Sequence, residues 1–135
     1  MVDASSVTSQ VLRANQKFYD AFSAGSGEAM RSLWAREATI SCVHPGLPLL
    51  IGREVVLRSF EEILGQGPRF QLSCIEPQVS LLADCALVTC FEAAGAESAH
   101  LAATNVFVRE AEEWRLVHHH AGPLSKPHTP SGFVN

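Results

Sequence analysis

The side chains richest in chemistry stand near the end of the chain. His118, His119 and His120, three of its six histidines, lie side by side in the strand-like run Trp114-Arg115-Leu116-Val117-His118-His119-His120-Ala121-Gly122-Pro123. Successive side chains of a strand point to opposite faces. Alternation therefore groups Trp114, Leu116, His118 and His120 on one face, and Arg115, Val117 and His119 on the other. With the Trp/Leu face buried, His118 and His120 enter an apolar interior about 6–7 Å apart along the strand, and His119 faces away. An imidazole pair so placed can hold an anionic or carbonyl ligand, or move a proton near neutral pH. It can also be a structural pair, bonded to each other or to backbone. His44, in Ser41-Cys42-Val43-His44-Pro45-Gly46, is either a third base or a residue that shapes a pocket rim. His118, His120 and His44 are the candidate catalytic residues. A metal site built from these three is chemically possible, but the sequence calls for no metal and no cofactor.

Other groups are less telling. Glu92 sits in an apolar strand-like run, where inward placement would raise its pKa; most strand glutamates are solvated, and its face is not fixed by alternation. Trp34 and Trp114 are expected mainly in the core, with Trp34 able to line a pocket mouth. Cys42, Cys74, Cys85 and Cys90 form no Cys-x-x-Cys pair and read as free buried thiols in a reducing cytosol. There is no Gly-rich phosphate loop, nucleophile elbow or dinucleotide motif.

These residues need a scaffold. The chain has 135 residues, 47% hydrophobic and 18% charged, which suits one globular domain. That domain is expected over 1–124, followed by a flexible tail over 125–135. The net charge is −4 and the basic residues are scattered singly, which argues against a nucleic-acid partner. No apolar run approaches the roughly 20 residues of a membrane span, and no signal-peptide pattern opens the chain. A cytoplasmic location is expected.

Apolar residues at helical spacing predict helices over Ser5–Ala24, capped by Ser5 or Ser6, over Glu28–Ala35 and over Arg53–Leu64. Gly25-Ser26-Gly27 and Gly65-Gln66-Gly67-Pro68 punctuate them. Strands are predicted over Ala38–Val43, Phe70–Val79, Cys85–Ala93, His100–Arg109 and Trp114–Ala121. The last four are joined by hairpin-length breaks and should form an antiparallel meander. The fold class is α+β: a curved sheet wrapped around three helices, with a hollow at its open end that suits a small ligand.

The segments NQKFYDAF, EAMRSLWA, ISCVHPG, IGREVVLRSFEEIL and TNVFVREAEEWRLVHHHAGP, in this order, resemble the nuclear transport factor 2-like superfamily, and within it the SnoaL-like branch. The last segment is also similar to the association domain of the calcium/calmodulin-dependent kinases. The resemblance implies a cone-shaped, cystatin-like α+β roll with an internal pocket, often a homodimer through the outer face of its sheet. It implies a small apolar molecule as partner, with acid–base chemistry on a carbonyl compound in the isomerase, cyclase and dehydratase members. Other members are non-catalytic dimerisation or assembly modules, so the fold does not decide the function.

The resemblance also brings in individual residues. Tyr19 falls near the oxyanion-binding tyrosine of the ketosteroid isomerases, where a phenol could donate to a developing enolate. His44 falls near their general-base aspartate, with no carboxylate here. Asn105 falls where the kinase association domain carries a pocket arginine, and Ala121 where it carries another. Neither arginine is present, though Asn105 could donate to a carbonyl. Tyr19, Trp34, Asn105 and Trp114 are the candidate ligand contacts.

Overall fold

The computed structural model describes residues 3–66, 70–95 and 98–130. Within them are three helices and six strands. Helix α1 spans Ala4–Ala24. Its N-cap is Asp3, whose carboxylate accepts from Ser6 N at 2.8 Å; Ser5 and Ser6, the expected caps, lie inside the first turn. A carboxylate there also meets the positive end of the helix dipole. Gly25 ends α1 in the left-handed region (φ 67°), which suits a residue without Cβ. Ser26 caps helix α2, Gly27–Leu33, by accepting from Ala29 N. This helix stops short of the expected Ala35. Trp34 turns extended and bridges to Leu116, and Ala35 N donates to Leu116 O at 2.9 Å.

Strand β1 is confined to Ser41–Val43. Ala38, expected in this strand, is held outside it: the Glu110 carboxylate accepts from the backbone N–H groups of Arg36, Glu37 and Ala38. An unexpected edge strand, β2 (Leu49–Ile51), pairs antiparallel with β1. Helix α3 runs Arg53–Leu64 as expected, and Gly65 N returns to Glu61 O at 2.9 Å. The expected Gly67-Pro68 stop lies outside the described residues.

Strands β3 (Leu72–Leu81), β4 (Ala86–Ala94), β5 (Ala99–Glu110) and β6 (Glu113–His128) form the expected meander. The sheet order is β2-β1-β6-β5-β4-β3. It is mixed, since β1 pairs parallel to β6. Strand β6 runs past position 124 to His128, whose ring stacks on Phe91 at 3.8 Å. The helices cover one face of the sheet. The core between the two layers contains Phe18, Tyr19, Trp34, Phe60, Phe107 and Leu116.

One irregularity decides the position of the histidines. Phe107 pairs with Leu116, but the next residue back, Val106, pairs with His118. Val117 is therefore a β-bulge, an extra residue that reverses the alternation beyond it. Leu116 points inward, and so do His119 and Ala121, all buried; His120 is exposed. The expected grouping of His118 and His120 with Trp114 and Leu116 is thus inverted. His119, expected to face away, is the histidine in the interior.

Candidate functional site

A polar cluster crosses the interior between α1 and the sheet. Asn15 and Tyr19 project from one stripe of α1, one helical turn apart. Glu92 comes from β4, Asn105 from β5 and His119 from β6, and all five are buried. His119 Nδ1 lies 2.5 Å from Asn105 Oδ1. A carboxamide oxygen only accepts, so His119 carries its proton on Nδ1 and donates. Asn105 Nδ2 donates to Asn15 Oδ1 at 2.8 Å and to the Tyr19 hydroxyl at 3.1 Å. Tyr19 in turn donates to Glu92 Oε2 at 2.7 Å and lies 3.2 Å from Cys90 Sγ. Asn15 Nδ2 closes the set on Cys74 Sγ at 3.3 Å.

Burial dominates the electrostatics here, because it penalises every charged form. It pushes the Glu92 carboxyl up toward its neutral form, against the hydrogen bond from Tyr19 that favours the carboxylate. The Tyr19 phenol is raised by burial and then by Glu92 and Cys90. His119 falls to about 3, chiefly through burial and then through His44, His118 and His120. It is a neutral imidazole at physiological pH, with its ring 4.7 Å from that of Phe18. Burial thus disfavours the charged forms of Tyr19, Glu92 and His119 along this donor–acceptor chain.

The other sequence candidates are dispersed. His44 is buried; its Nε2 is 2.9 Å from Ser59 Oγ and its ring packs edge-on to Phe60. Burial lowers its pKa. His118 Nδ1 is 2.7 Å from Ser41 Oγ on the far face of the sheet, and burial, then His120, lower its pKa. His120 lies on that same face, with its ring 6.2 Å from His118, and lines a cleft of about 530 Å³ with Phe91, Ala102 and Thr104. His44 and the His118–His120 pair therefore sit on opposite sides of the sheet. Among the described residues no three His, Cys, Asp or Glu side chains converge as a metal site would require.

Trp34 is fully buried against Phe60, not at a pocket mouth. Its Nε1 is the one buried polar side-chain atom among the described residues without a hydrogen-bond partner. Trp114 is half-buried and lines a second cleft of about 570 Å³, with Arg109 over its ring at 5.4 Å.

Tyr19 and Asn105 were legible as candidates and do come together. Glu92 was legible only as a strand carboxyl of unfixed face, His119 was expected to face away, and Asn15 was missed. Asn15 carried a signal: it falls between Val11 and Phe18 on the apolar stripe of α1. Glu92 carried a weaker one, sharing a face with Ala86, Val88 and Cys90, but the opposite face of the strand, Leu87, Thr89 and Phe91, is nearly as apolar.

Comparison with known proteins agrees with this architecture. Residues 11–125 match the sequence profile of the SnoaL-like domain. A candidate dehydratase of the nuclear transport factor 2-like family from Streptomyces avermitilis is 36% identical, with a TM-score of 0.77 over 88% of this chain and 97% of that one. A candidate calcium/calmodulin-dependent protein kinase type II association domain from Thiobacillus denitrificans is 37% identical, with a TM-score of 0.71 over 83% of this chain and 93% of that one. The F-box protein SKIP8 of Arabidopsis thaliana is 26% identical over 119 residues, 87% of this chain, which spans about half (51%) of that relative. With the profile matched over residues 11–125 and solved relatives of this kind superposing on most of its length, the chain belongs to the SnoaL-like domain family of the nuclear transport factor 2-like superfamily.

Proposed function

We propose that this protein binds a small apolar carbonyl compound at the interior cluster and acts on it by acid–base chemistry. The observation that carries the reading is the Glu92 carboxyl, driven toward its neutral form in an apolar core and bonded to a phenol that also meets a carboxamide. A carboxylate of raised pKa is the stronger base, able to take an α-proton and return it, while a phenol donates to the oxygen of a carbonyl that gains charge as an enolate forms. In this reading Tyr19 and Asn105 polarise the carbonyl, Glu92 moves the proton, and His119 orients Asn105 through its carboxamide oxygen. The relative described as a candidate dehydratase fits chemistry of this class.

The test is α-proton exchange. A set of apolar cyclic ketones in D2O, followed by NMR, should exchange faster with the protein than in buffer. Tyr19→Phe and Glu92→Gln should each cut the excess rate about a hundredfold. A protein that binds none of these ketones, or variants that exchange as fast as the wild type, would defeat the proposal.

A second reading is a non-catalytic assembly module. Its support is that His44, His118 and His119 all have protein partners, together with the likeness to a candidate kinase association domain. In this reading the chain self-associates as a homodimer through the outer sheet face that carries His120 and Phe91. Sedimentation equilibrium at micromolar concentration tests it, and a monomeric mass would rule it out. The four free cysteines suit a cytoplasmic setting in either case.

A further inference from the structure

The basic residues, scattered singly along the sequence, are gathered by the fold. Eight of the ten Lys and Arg side chains, but only four of the fourteen Asp and Glu, line two neighbouring clefts on either side of α2. In a chain of net charge −4 this is a segregation of charge. The larger cleft, about 570 Å³, lies between α1, α2 and the β5–β6 hairpin, and none of the interior cluster's residues lines it. Its α1 wall is Gln10, Arg13, Ala14 and Lys17, spaced to share one helix face. Its floor is apolar, with Leu33, Phe107 and the half-buried Trp114.

Some of these cations have structural duties. Arg115 donates to Ser32 O and pairs with Glu113, while Arg109 donates to Glu112 O and covers Trp114. Arg53, behind them, holds the carbonyls of Arg31, Trp34 and Ala35 at the end of α2. Arg13, Lys17 and Arg36 have no such duty: they are exposed and form no salt bridge with any described residue. Arg36 also stands close enough to Arg53 to repel its charge, as do Arg31 and Arg115. Of the two acids lining the cleft, Glu113 is taken by Arg115, so Glu112 alone stands against Arg13, Lys17 and Arg36, a net cation excess.

We propose that this cleft binds an organic anion of metabolite size, an apolar ring body carrying a phosphate or carboxylate. The body would rest on Trp114 and Leu33, and the anionic group would meet Arg13, Lys17 and Arg36. The volume falls in the range of small-molecule sites, about 300–1,000 Å³. A cleft of this volume with Leu33 and Trp114 at its base suits a compact ligand better than an extended acidic peptide, and guanidinium groups suit phosphate and carboxylate oxygens.

The test is isothermal titration of the full-length protein with the matched pair 1-naphthyl phosphate and 1-naphthol, with Trp114 fluorescence as a second readout. Naphthyl phosphate should bind at least tenfold more tightly than naphthol and weaken as NaCl rises from about 50 to 500 mM. The double variant Arg13→Gln/Arg36→Gln, altered only at exposed positions, should lose at least tenfold in affinity. Tyr19→Phe, in the interior cluster, should bind as the wild type does. Equal binding of naphthol, full affinity in the double variant, or binding of an octaglutamate peptide without binding of naphthyl phosphate would each overturn the assignment.

Discussion

His119 should make the protein sensitive to acid in a way that one substitution can isolate. Its pKa in the folded state is about 3, against an ordinary 6.5, because the buried site disfavours the imidazolium. Below pH 6.5 the unfolded chain takes up a proton that the folded chain refuses. Stability from this group is thus complete above 6.5 and is lost as pH falls toward 3. The loss amounts to about 2 kcal/mol between pH 6.5 and 4.5, and to about 4 kcal/mol by pH 3. Glu92 works in the opposite sense. Its folded pKa is raised above the ordinary 4.5, so above that pH the unfolded chain releases a proton that the folded chain keeps, and stability falls as pH rises. The two contributions therefore run in opposite directions with pH where they overlap, above pH 4.5. His119→Phe removes the first contribution and leaves the Asn105 oxygen without its donor, at a cost of about 1–3 kcal/mol that packing against Phe18 partly offsets. Urea midpoints by circular dichroism at pH 6.5 and 4.5, with unchanged m-values, measure the result. The variant should be the less stable protein at pH 6.5, and its deficit should shrink by about 2 kcal/mol at pH 4.5. A deficit that stays constant across this range would refute the buried neutral imidazole.

Three other outcomes follow from the same structure. Glu92→Gln, whose amide oxygen can still accept from Tyr19, should gain stability relative to wild type as pH rises above 4.5; parallel pH profiles would contradict the raised carboxyl. Deleting Val117 removes the bulge and leaves Leu116 and His119 both facing inward, so the shortened chain should still unfold cooperatively on heating, and loss of that transition would contradict the register. The β5–β6 turn holds Ala111 and Glu112 at positive φ (51° and 64°), where Asn-Gly is preferred; Ala111→Asn with Glu112→Gly should raise stability by about 1–2 kcal/mol in the same urea assay, and no gain would argue against the strain.

Much of the scaffold was written in local pattern. The three- and four-residue spacing of Val11, Phe18 and Phe22, and of Val56, Phe60 and Ile63, names two helices without reference to anything distant. The four-strand meander follows from short polar breaks between apolar runs. The family resemblance rests on the order of such segments and carries the fold with it. Strand β2 was not legible, because three apolar residues at an edge become a strand only when β1 is there to pair with them.

The site is where local reading failed, for one physical reason: its features are relations between strands. The orientation of His118, His119 and His120 depends on Val117 having no partner on β5, which no count along β6 can reveal. Glu92 is inward because α1 covers that face of β4 and supplies Tyr19 as its hydrogen-bond donor. Arg13, Arg36 and Arg115, far apart in the chain, share a cleft only once α1, α2 and β6 are packed together. The sequence by itself determined the three helices and the four-strand meander, since propensity and periodicity act over a few residues. The tertiary structure alone decided which side chains share the interior, because burial and pairing are properties of the assembled layers.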